Sequence, residues 1–226
     1  MRIGILGSGI VGQTLGLKLV QLGHAVVLGT RDPSKLDEPK GRGPTARSLR
    51  NWLAETGSEA SVGTFRDAAL HGELVINALS GAASLEVLRA IGEEHLNGKT
   101  LIDTSNPIDA SRGFPLTLFV KDTDSLGEIL QRALPNVRVI KTLNTMSAAL
   151  MVNPALVGNG DHTVFLCGDD SQAKAQVAAL LREFGWHDIL DLGDISTARG
   201  TEMLLALGHA VMHTLSPAPS AFKVVR

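Results

Sequence analysis

Residues 2–31 read RIGILGSGIVGQTLGLKLVQLGHAVVLGTR, and this stretch decides the fold. It opens on an apolar run, Ile3, Ile5 and Leu6, that reads as a strand. Gly7-Ser8-Gly9-Ile10-Val11-Gly12 comes next, followed by apolar residues at helical spacing, Val11, Leu15, Leu19 and Leu22. A second apolar run, Ala25 to Leu28, ends at Gly29-Thr30-Arg31. Gly-x-Gly-x-x-Gly alone is weak evidence, but between a strand and a helix, with a second strand soon after, it points to a dinucleotide. Gly7 suits the tight turn, Gly9 lets backbone approach a pyrophosphate, and Gly12 allows close helix–strand packing. The anion would sit on the helix N-terminus, where free N–H groups and the dipole favour negative charge. The bland alternative is a tight turn with no ligand.

The far end of the stretch bears on which dinucleotide binds. NAD sites normally carry Asp or Glu there to bind the ribose hydroxyls. Here the position holds Thr30, and Arg31 follows. A carboxylate would repel a 2′-phosphate, whereas a hydroxyl and a guanidinium fork would bind one. NADP is therefore expected. Asp32 is the counter-argument, but it precedes Pro33 and reads as a turn or cap residue; Lys35 adds a point charge.

With 226 residues, 44% hydrophobic and 19% charged, the chain has material for a full globular core. A net charge of −2 gives no support to nucleic-acid or anionic-membrane binding. Residues 31–50 hold six Lys/Arg against three acids, which suits either a phosphate-facing loop or a solvated one. The single Cys167, in an apolar run, excludes an intrachain disulfide and reads as buried and inert. The N-terminus mimics a signal peptide only superficially, since cleavage would remove the glycine motif. No apolar run approaches the length of a membrane span, so a soluble cytoplasmic protein is expected.

Further along, apolar strand runs alternate with helical patterns. Strands are expected at 60–65, Leu74 to Ile76, Thr100 to Ile102, Val137 to Ile140, Thr163 to Cys167 and His187 to Leu190. Helices are expected around Leu49 to Leu53, from Phe65 to Leu70, from about Ser84 to His95, after a Ser125–Glu128 capping box, after a Ser171 cap, and over 197–214. Residues 108–123 have no clear period and read as a surface excursion. Continuous apolar strands between helices imply an α/β protein with a doubly wound, mostly parallel sheet. The expected division is 1–150 for dinucleotide binding and 151–226 as a smaller segment packed on it, continuing the alternation into a long helix.

Ligands of such sheets lie outside the carboxyl ends of the strands. Those ends carry Gly7 to Gly12, Thr30-Arg31, Leu79-Ser80, Asn106-Pro107 and Asn144-Thr145-Met146. Leu79 and Ser80 should lie along the cofactor, and the last two groups should flank the nicotinamide, although Asn-Pro also suits a plain turn. The chain has no Tyr, and no His at these ends. Lys141 is the only candidate proton donor, with a head that merely reaches solvent as the alternative. Hydride exchange between nicotinamide and a flavin-like ring needs chiefly alignment of two rings and fits a site without a strong general acid. On the last helix Glu202, His209 and His213 share a face opposite Leu204, Leu207, Val211 and Leu215. That face is expected to meet solvent rather than a metal, with Arg199 and Glu202 as a surface pair.

These motifs together resemble a known family. The blocks GSGIVGQTLG, GHAVVLGTRDP, IDTSNPI, VRVIKTLNTM, FLCGDD, DLGDISTARGTE and AFKVVR are similar, in order and spacing, to NADPH-dependent reductases of the deazaflavin coenzyme F-420. That family is related to the cytosolic domain of the six-transmembrane metalloreductases. The resemblance implies a Rossmann NADP domain, a small C-terminal segment, a homodimer, and hydride transfer to a flavin-like ring stacked on the nicotinamide. It implies pyrophosphate contacts from Ser8 to Val11, 2′-phosphate contacts from Thr30 and Arg31, and a further cofactor contact from Lys35. Leu79 and Ser80 match the nicotinamide-side loop, and Ala148 follows the Asn144-Thr145 corner. The chain departs at Asn144, where a deazaflavin reductase has His, and at Ser80, where Pro is usual. A flavin or another small molecule is the alternative acceptor, and a non-catalytic NADP sensor the alternative of another class.

Overall fold

The computed structural model describes residues 1–40, 47–215 and 219–226, the side chain of Arg112 excepted. The chain begins β1 (Arg2–Leu6), α1 (Ile10–Gln21), β2 (Ala25–Thr30), a short ribbon of β3 (Pro39–Lys40) and β4 (Arg47–Ser48), then α2 (Leu49–Thr56). It continues β5 (Ala60–Thr64), α3 (Phe65–His71), β6 (Leu74–Asn77), α4 (Gly81–Ile91) and β7 (Thr100–Asp103). A second ribbon, β8 (Ile108–Asp109) and β9 (Thr117–Leu118), precedes α5 (Leu126–Ala133), β10 (Arg138–Thr142) and α6 (Ala148–Val152). The last elements are β11 (Thr163–Cys167), α7 (Ser171–Glu183), β12 (Asp188–Asp191) and α8 (Ala198–Thr214).

The main sheet has the order β12-β11-β10-β7-β6-β1-β2-β5. From β5 to β10 every neighbouring pair is parallel. β11 lies antiparallel to β10 and β12 parallel to β11, so the last two strands run against the rest. The order reverses beside β1, which opens a crevice between the carboxyl ends of β1 and β6, where such sheets bind ligands.

Both faces are covered, and strand alternation divides the core in two. Ile3, Ile5, Ile76, Ile102 and Ile140 pack with Leu15, Leu19, Trp52, Val177 and Leu181, under α1, α2 and α7. Leu6, Val75, Leu101 and Val139 pack with Ala68, Leu88, Leu130 and Ala198, under α3, α4, α5 and α8. Cys167 belongs to this second layer, and burial pushes its thiol up to about 11, so it is unreactive at neutral pH.

Some local expectations shift. The helix expected to reach His95 ends at Ile91, because Gly92 turns the chain at φ 92° before a separate turn over Glu93–His95. The cap of α7 is Asp170, whose Oδ1 accepts the Ala173 N–H at 2.7 Å, rather than Ser171. At α5 the Ser125 hydroxyl accepts the Glu128 N–H and also donates to the Glu128 carboxylate at 2.7 Å, so Glu128 closes on the hydroxyl and not on the backbone. A reciprocal box does form at α3, between Thr64 and Asp67. The excursion after β7 holds the β8–β9 ribbon. Among the described residues no helix is long and apolar enough to cross a membrane.

The close seating of α3 on β1 depends on Gly4, where an added Cβ would fall 1.9 Å from the Ala68 carbonyl oxygen. Gly4→Ala should therefore cost about 1–3 kcal/mol in urea unfolding. A midpoint equal to that of the parent would contradict this packing.

Candidate functional site

The glycine turn divides its labour as expected from the sequence. Gly7 has φ +120°, and a Cβ there would lie 2.5 Å from the Ala78 carbonyl oxygen. A Cβ on Gly12 would lie 1.9 Å from the Gly7 carbonyl oxygen. At Gly9 an added Cβ meets nothing within 4 Å, so the turn opens to free space directly before Ile10. Gly9 caps α1 without a side-chain hydrogen bond, and the first helical N–H groups remain available to an anion. A dinucleotide pyrophosphate fits this cradle: small residues where backbones touch, open space where a ligand would approach.

The ends of β1 and β2 meet through hydroxyls, Ser8 Oγ donating to Thr30 Oγ1 at 3.1 Å. Arg31 is exposed and, among the described residues, has no ion-pair partner. Its neighbours are engaged: Lys35 and Lys40 with Glu38, Arg47 with Glu55, and Arg50 with Asp37. Asp32 forms a turn, Oδ1 accepting both the N–H and the hydroxyl of Ser34, and these bonds hold its carboxyl below the ordinary range. The remainder of the basic stretch, 41–46, lies outside the described residues. Gln13 was not singled out by the sequence. Its side-chain amide donates to the Ser8 and Arg47 carbonyls, and its backbone carbonyl accepts the Trp52 indole N–H, tying the glycine turn to α2.

On the other side of the crevice, Val11, Leu79, Ser80, Ser105 and Asn106 line an open cleft of about 480 Å³. Ser80 is the exposed cap residue of α4. Asn106 and Asn144 clasp each other: Asn106 Nδ2 donates to the Asn144 carbonyl at 2.8 Å, and Asn144 Nδ2 donates to Asn106 Oδ1 at 3.0 Å. The turn that permits this places Leu143 at φ +62°, a strained conformation for a leucine. Pro107 and Thr145 are buried, Met146 is half-buried, and Ala148 begins α6.

Lys141 does not reach solvent. Its ammonium is fully buried and donates to Asp103 Oδ2 at 2.7 Å, the Ser105 carbonyl at 2.8 Å and Glu202 Oε1 at 2.8 Å. Three acceptors use all three ammonium protons. Burial alone would lower its pKa, but the charges of Asp103 and Glu202 override this and hold it above the ordinary lysine value. Lys141 therefore stays charged beneath the cleft and is not a proton donor to a ligand. Asp103 Oδ1 accepts from Asn77 Nδ2 at 2.9 Å, and Asn77 Oδ1 accepts the Leu79 N–H at 3.3 Å. The network thus reaches the loops after β6 and β7.

Glu202 is the clearest correction. Expected in solvent, it is buried: besides meeting Lys141 it accepts the Leu126 and Gly127 N–H groups, at 2.8 and 3.0 Å. The α5 dipole and the Lys141 charge compensate its burial. α8 is consequently turned, with Ala198, Thr201, Glu202 and Leu205 inward and Leu207 and Leu215 exposed. Arg199 pairs with Glu128 across to α5 instead of with Glu202. His213 stacks on Phe114 with ring centroids 4.3 Å apart. Among the described residues no group of three His, Cys, Asp or Glu could hold a metal ion.

The family described as "NADP oxidoreductase coenzyme F420-dependent" matches residues 2–107. A crystal structure from Arthrobacter sp. FB24, provisionally named an F420-dependent NADP reductase, is 47% identical, with a TM-score of 0.94 and full coverage of both chains. The chain belongs to the F420-dependent NADP oxidoreductase family. The F420-dependent NADP reductase of Methanocaldococcus jannaschii is 26% identical over 92% of this chain and 90% of its own. The metalloreductase STEAP3 of Rattus norvegicus is 30% identical over 90% of this chain, which spans only 36% of that protein's length.

Within this NADP-dependent oxidoreductase, Lys141 supports the floor of the cleft. Lys141→Met would leave Asp103 and Glu202 buried without their cation, a loss of about 3–5 kcal/mol. Because the folded pKa is raised, the lysine's contribution is complete below the ordinary lysine pKa and fades only as pH climbs through the raised value. Urea unfolding of the parent and the variant at pH 7 and pH 9 should show the same gap. A gap that is absent, or that halves between those two pH values, would contradict the charged network.

Proposed function

We propose that the protein transfers hydride between NADP(H) and a deazaflavin of the coenzyme F-420 type. The observation that carries this reading is the chemistry of the strand ends. They offer a phosphate cradle and an open cleft, while Lys141, the one side chain there with a transferable proton in the sequence reading, is sealed by three acceptors. Such a site suits the alignment of two rings, which is chiefly what hydride exchange between nicotinamide and a flavin-like ring requires. A hydride and its electron pair pass from one ring to the other, and the accompanying proton is exchanged with solvent.

In this reading Gly7 to Gly12 hold the pyrophosphate, Thr30 and Arg31 the 2′-phosphate, and Lys35 a further cofactor group. Leu79, Ser80, Asn106, Pro107 and Ala148 border the nicotinamide, and Asn144, Thr145 and Met146 face the second substrate. The guanidinium of Arg31, without an ion-pair partner among the described residues while Lys35, Lys40, Arg47 and Arg50 are paired, supports NADP over NAD. A homodimer working in the cytoplasm completes the reading, since a second copy would cover the exposed Leu207 of α8 and Leu215 just after it. A flavin is the second choice of acceptor, favoured by Asn144 and by the similarity to the metalloreductase.

Stopped-flow oxidation of NADPH by coenzyme F-420, FMN and FAD tests the reaction. Turnover with F-420 is the expected result; turnover with FMN or FAD alone favours the second choice. Tight NADPH binding without oxidation by any of the three would point to a sensor and overturn the proposal. Arg31→Ala should weaken NADPH by roughly 10- to 100-fold, the worth of a charge-assisted contact, with NADH little changed. Equal losses for both cofactors would remove Arg31 from the 2′-phosphate site.

A further inference from the structure

The open cleft beside the glycine turn has an uncharged surface over a charged base. Among the described residues that line it, none carries a formal charge. The network that holds this lining is different. Asp103 Oδ1 accepts the Ser105 N–H at 3.1 Å and the Ser105 hydroxyl at 2.6 Å, and Lys141 donates to the Ser105 carbonyl at 2.8 Å. Asn77, bonded to Asp103, accepts the Leu79 N–H on its side chain and the Thr104 hydroxyl on its backbone carbonyl. Leu79, Thr104 and Ser105 all line the cleft. The buried charges therefore lie one or two hydrogen bonds behind the space that a ligand ring would fill.

Those charges do not cancel. Lys141 supplies one positive charge and Asp103 and Glu202 two negative ones, on side chains that are 0%, 0% and 2% exposed. The N–H groups that open α5 soften the charge of Glu202, but they are dipoles with no net charge of their own. One net negative charge remains where salt and water screen it little. A further carboxylate, Asp109, stands at the rim between the lining residues Ile108 and Ala110. It is half-buried, and Ser111 donates to it through its N–H and its hydroxyl. Solvent and salt damp a charge at that rim far more than they damp the buried three.

We propose that the net negative charge of the Asp103–Lys141–Glu202 network makes the cleft discriminate between the two redox forms of the nicotinamide, favouring the cationic oxidised ring over the neutral reduced one. The inference rests on the reading that seats the nicotinamide in this cleft. Departure of hydride with its electron pair oxidises the ring and gives it one positive charge, while the acceptor ring takes the hydride and is reduced. A fixed negative charge behind the ring stabilises the cation so formed. Asp103 and Glu202 thus gain an electrostatic duty beyond holding the loops, and the bound pair is biased toward donation by NADPH.

Asp103→Asn and Glu202→Gln each remove one negative charge with little change of shape, the first next to the lining and the second on α8. The full-length variants are titrated with NADP+, with NADPH and with 2′-phospho-ADP-ribose, which has the phosphates and no nicotinamide. The ratio of the NADP+ Kd to the NADPH Kd should rise roughly three- to tenfold in both variants, the effect of one unit charge across a short, partly dry path. Binding of 2′-phospho-ADP-ribose should match the parent. If neither variant folds, the parent decides: raising salt from about 0.05 to about 0.5 M should weaken all three ligands while the ratio stays within about twofold, because salt does not reach the buried charges. An unchanged ratio in a folded variant, or a parent ratio that drifts several-fold with salt as a charge at Asp109 would make it, overturns the inference. Equal weakening of all three ligands leaves the two carboxylates a structural role alone and overturns it as well. If the parent does not distinguish NADP+ or NADPH from 2′-phospho-ADP-ribose, the nicotinamide is not seated in the cleft and the underlying reading itself fails.

Discussion

The structure depends on one buried cation. Lys141, in the middle of the sheet's carboxyl edge, donates to a carboxylate on β7, to the backbone of the following loop and to a carboxylate on α8. An ammonium this deep is tolerable only because every proton has an acceptor and two carboxylates surround it. The surplus negative charge is in turn met by the N–H groups that open α5. Each member needs the others: removing any one leaves a charge in a place with no water. The result is a rigid connection from the loop after β6, through β7 and β10, to the two helices that cover them.

That connection explains how a sheet edge becomes a working surface. Two kinds of constraint meet at the crevice beside β1. At the glycine turn the constraint is steric: Gly7 and Gly12 let three stretches of backbone approach more closely than any side chain would allow. On the opposite side it is polar: the Asn106–Asn144 clasp and the strained Leu143 turn fix the corner after β10 above the lysine network. For the hydride transfer proposed above, which needs two aligned rings, such stiffness matters more than a mobile acid or base.

Much of this was legible in the sequence, for identifiable reasons. The parallel sheet showed itself because its strands are covered on both faces and so read as unbroken apolar runs, as Leu74 to Ile76 and Leu101 to Ile102 do. The glycine turn was readable because backbone contact at Gly7 and Gly12 leaves no residue but glycine. The reversed direction of β11 was not readable, since the same apolar run serves either direction. Nor was the orientation of α8: amphipathic logic sends Glu202 to water, and only the position of Lys141 on a distant strand draws it inward. Long-range pairing and hydrogen bonding carry no local periodicity, so the inward place of Glu202 and the bridging role of Gln13 emerge only in three dimensions. The Ser171 cap was misplaced by one residue because Asp170 and Ser171 are both good caps, and the choice depends on backbone geometry.

The central claim is direct passage of hydride between two aligned rings, and isotopic labelling tests it most directly. NADPH carrying deuterium at its transferable position would be mixed with coenzyme F-420 and the enzyme in ordinary water, and the reduced product examined by NMR. The account predicts deuterium on the reduced ring carbon of the deazaflavin, in amounts equal to the NADPH consumed. A reduced product containing only solvent hydrogen, or label lost to water during turnover, would contradict it.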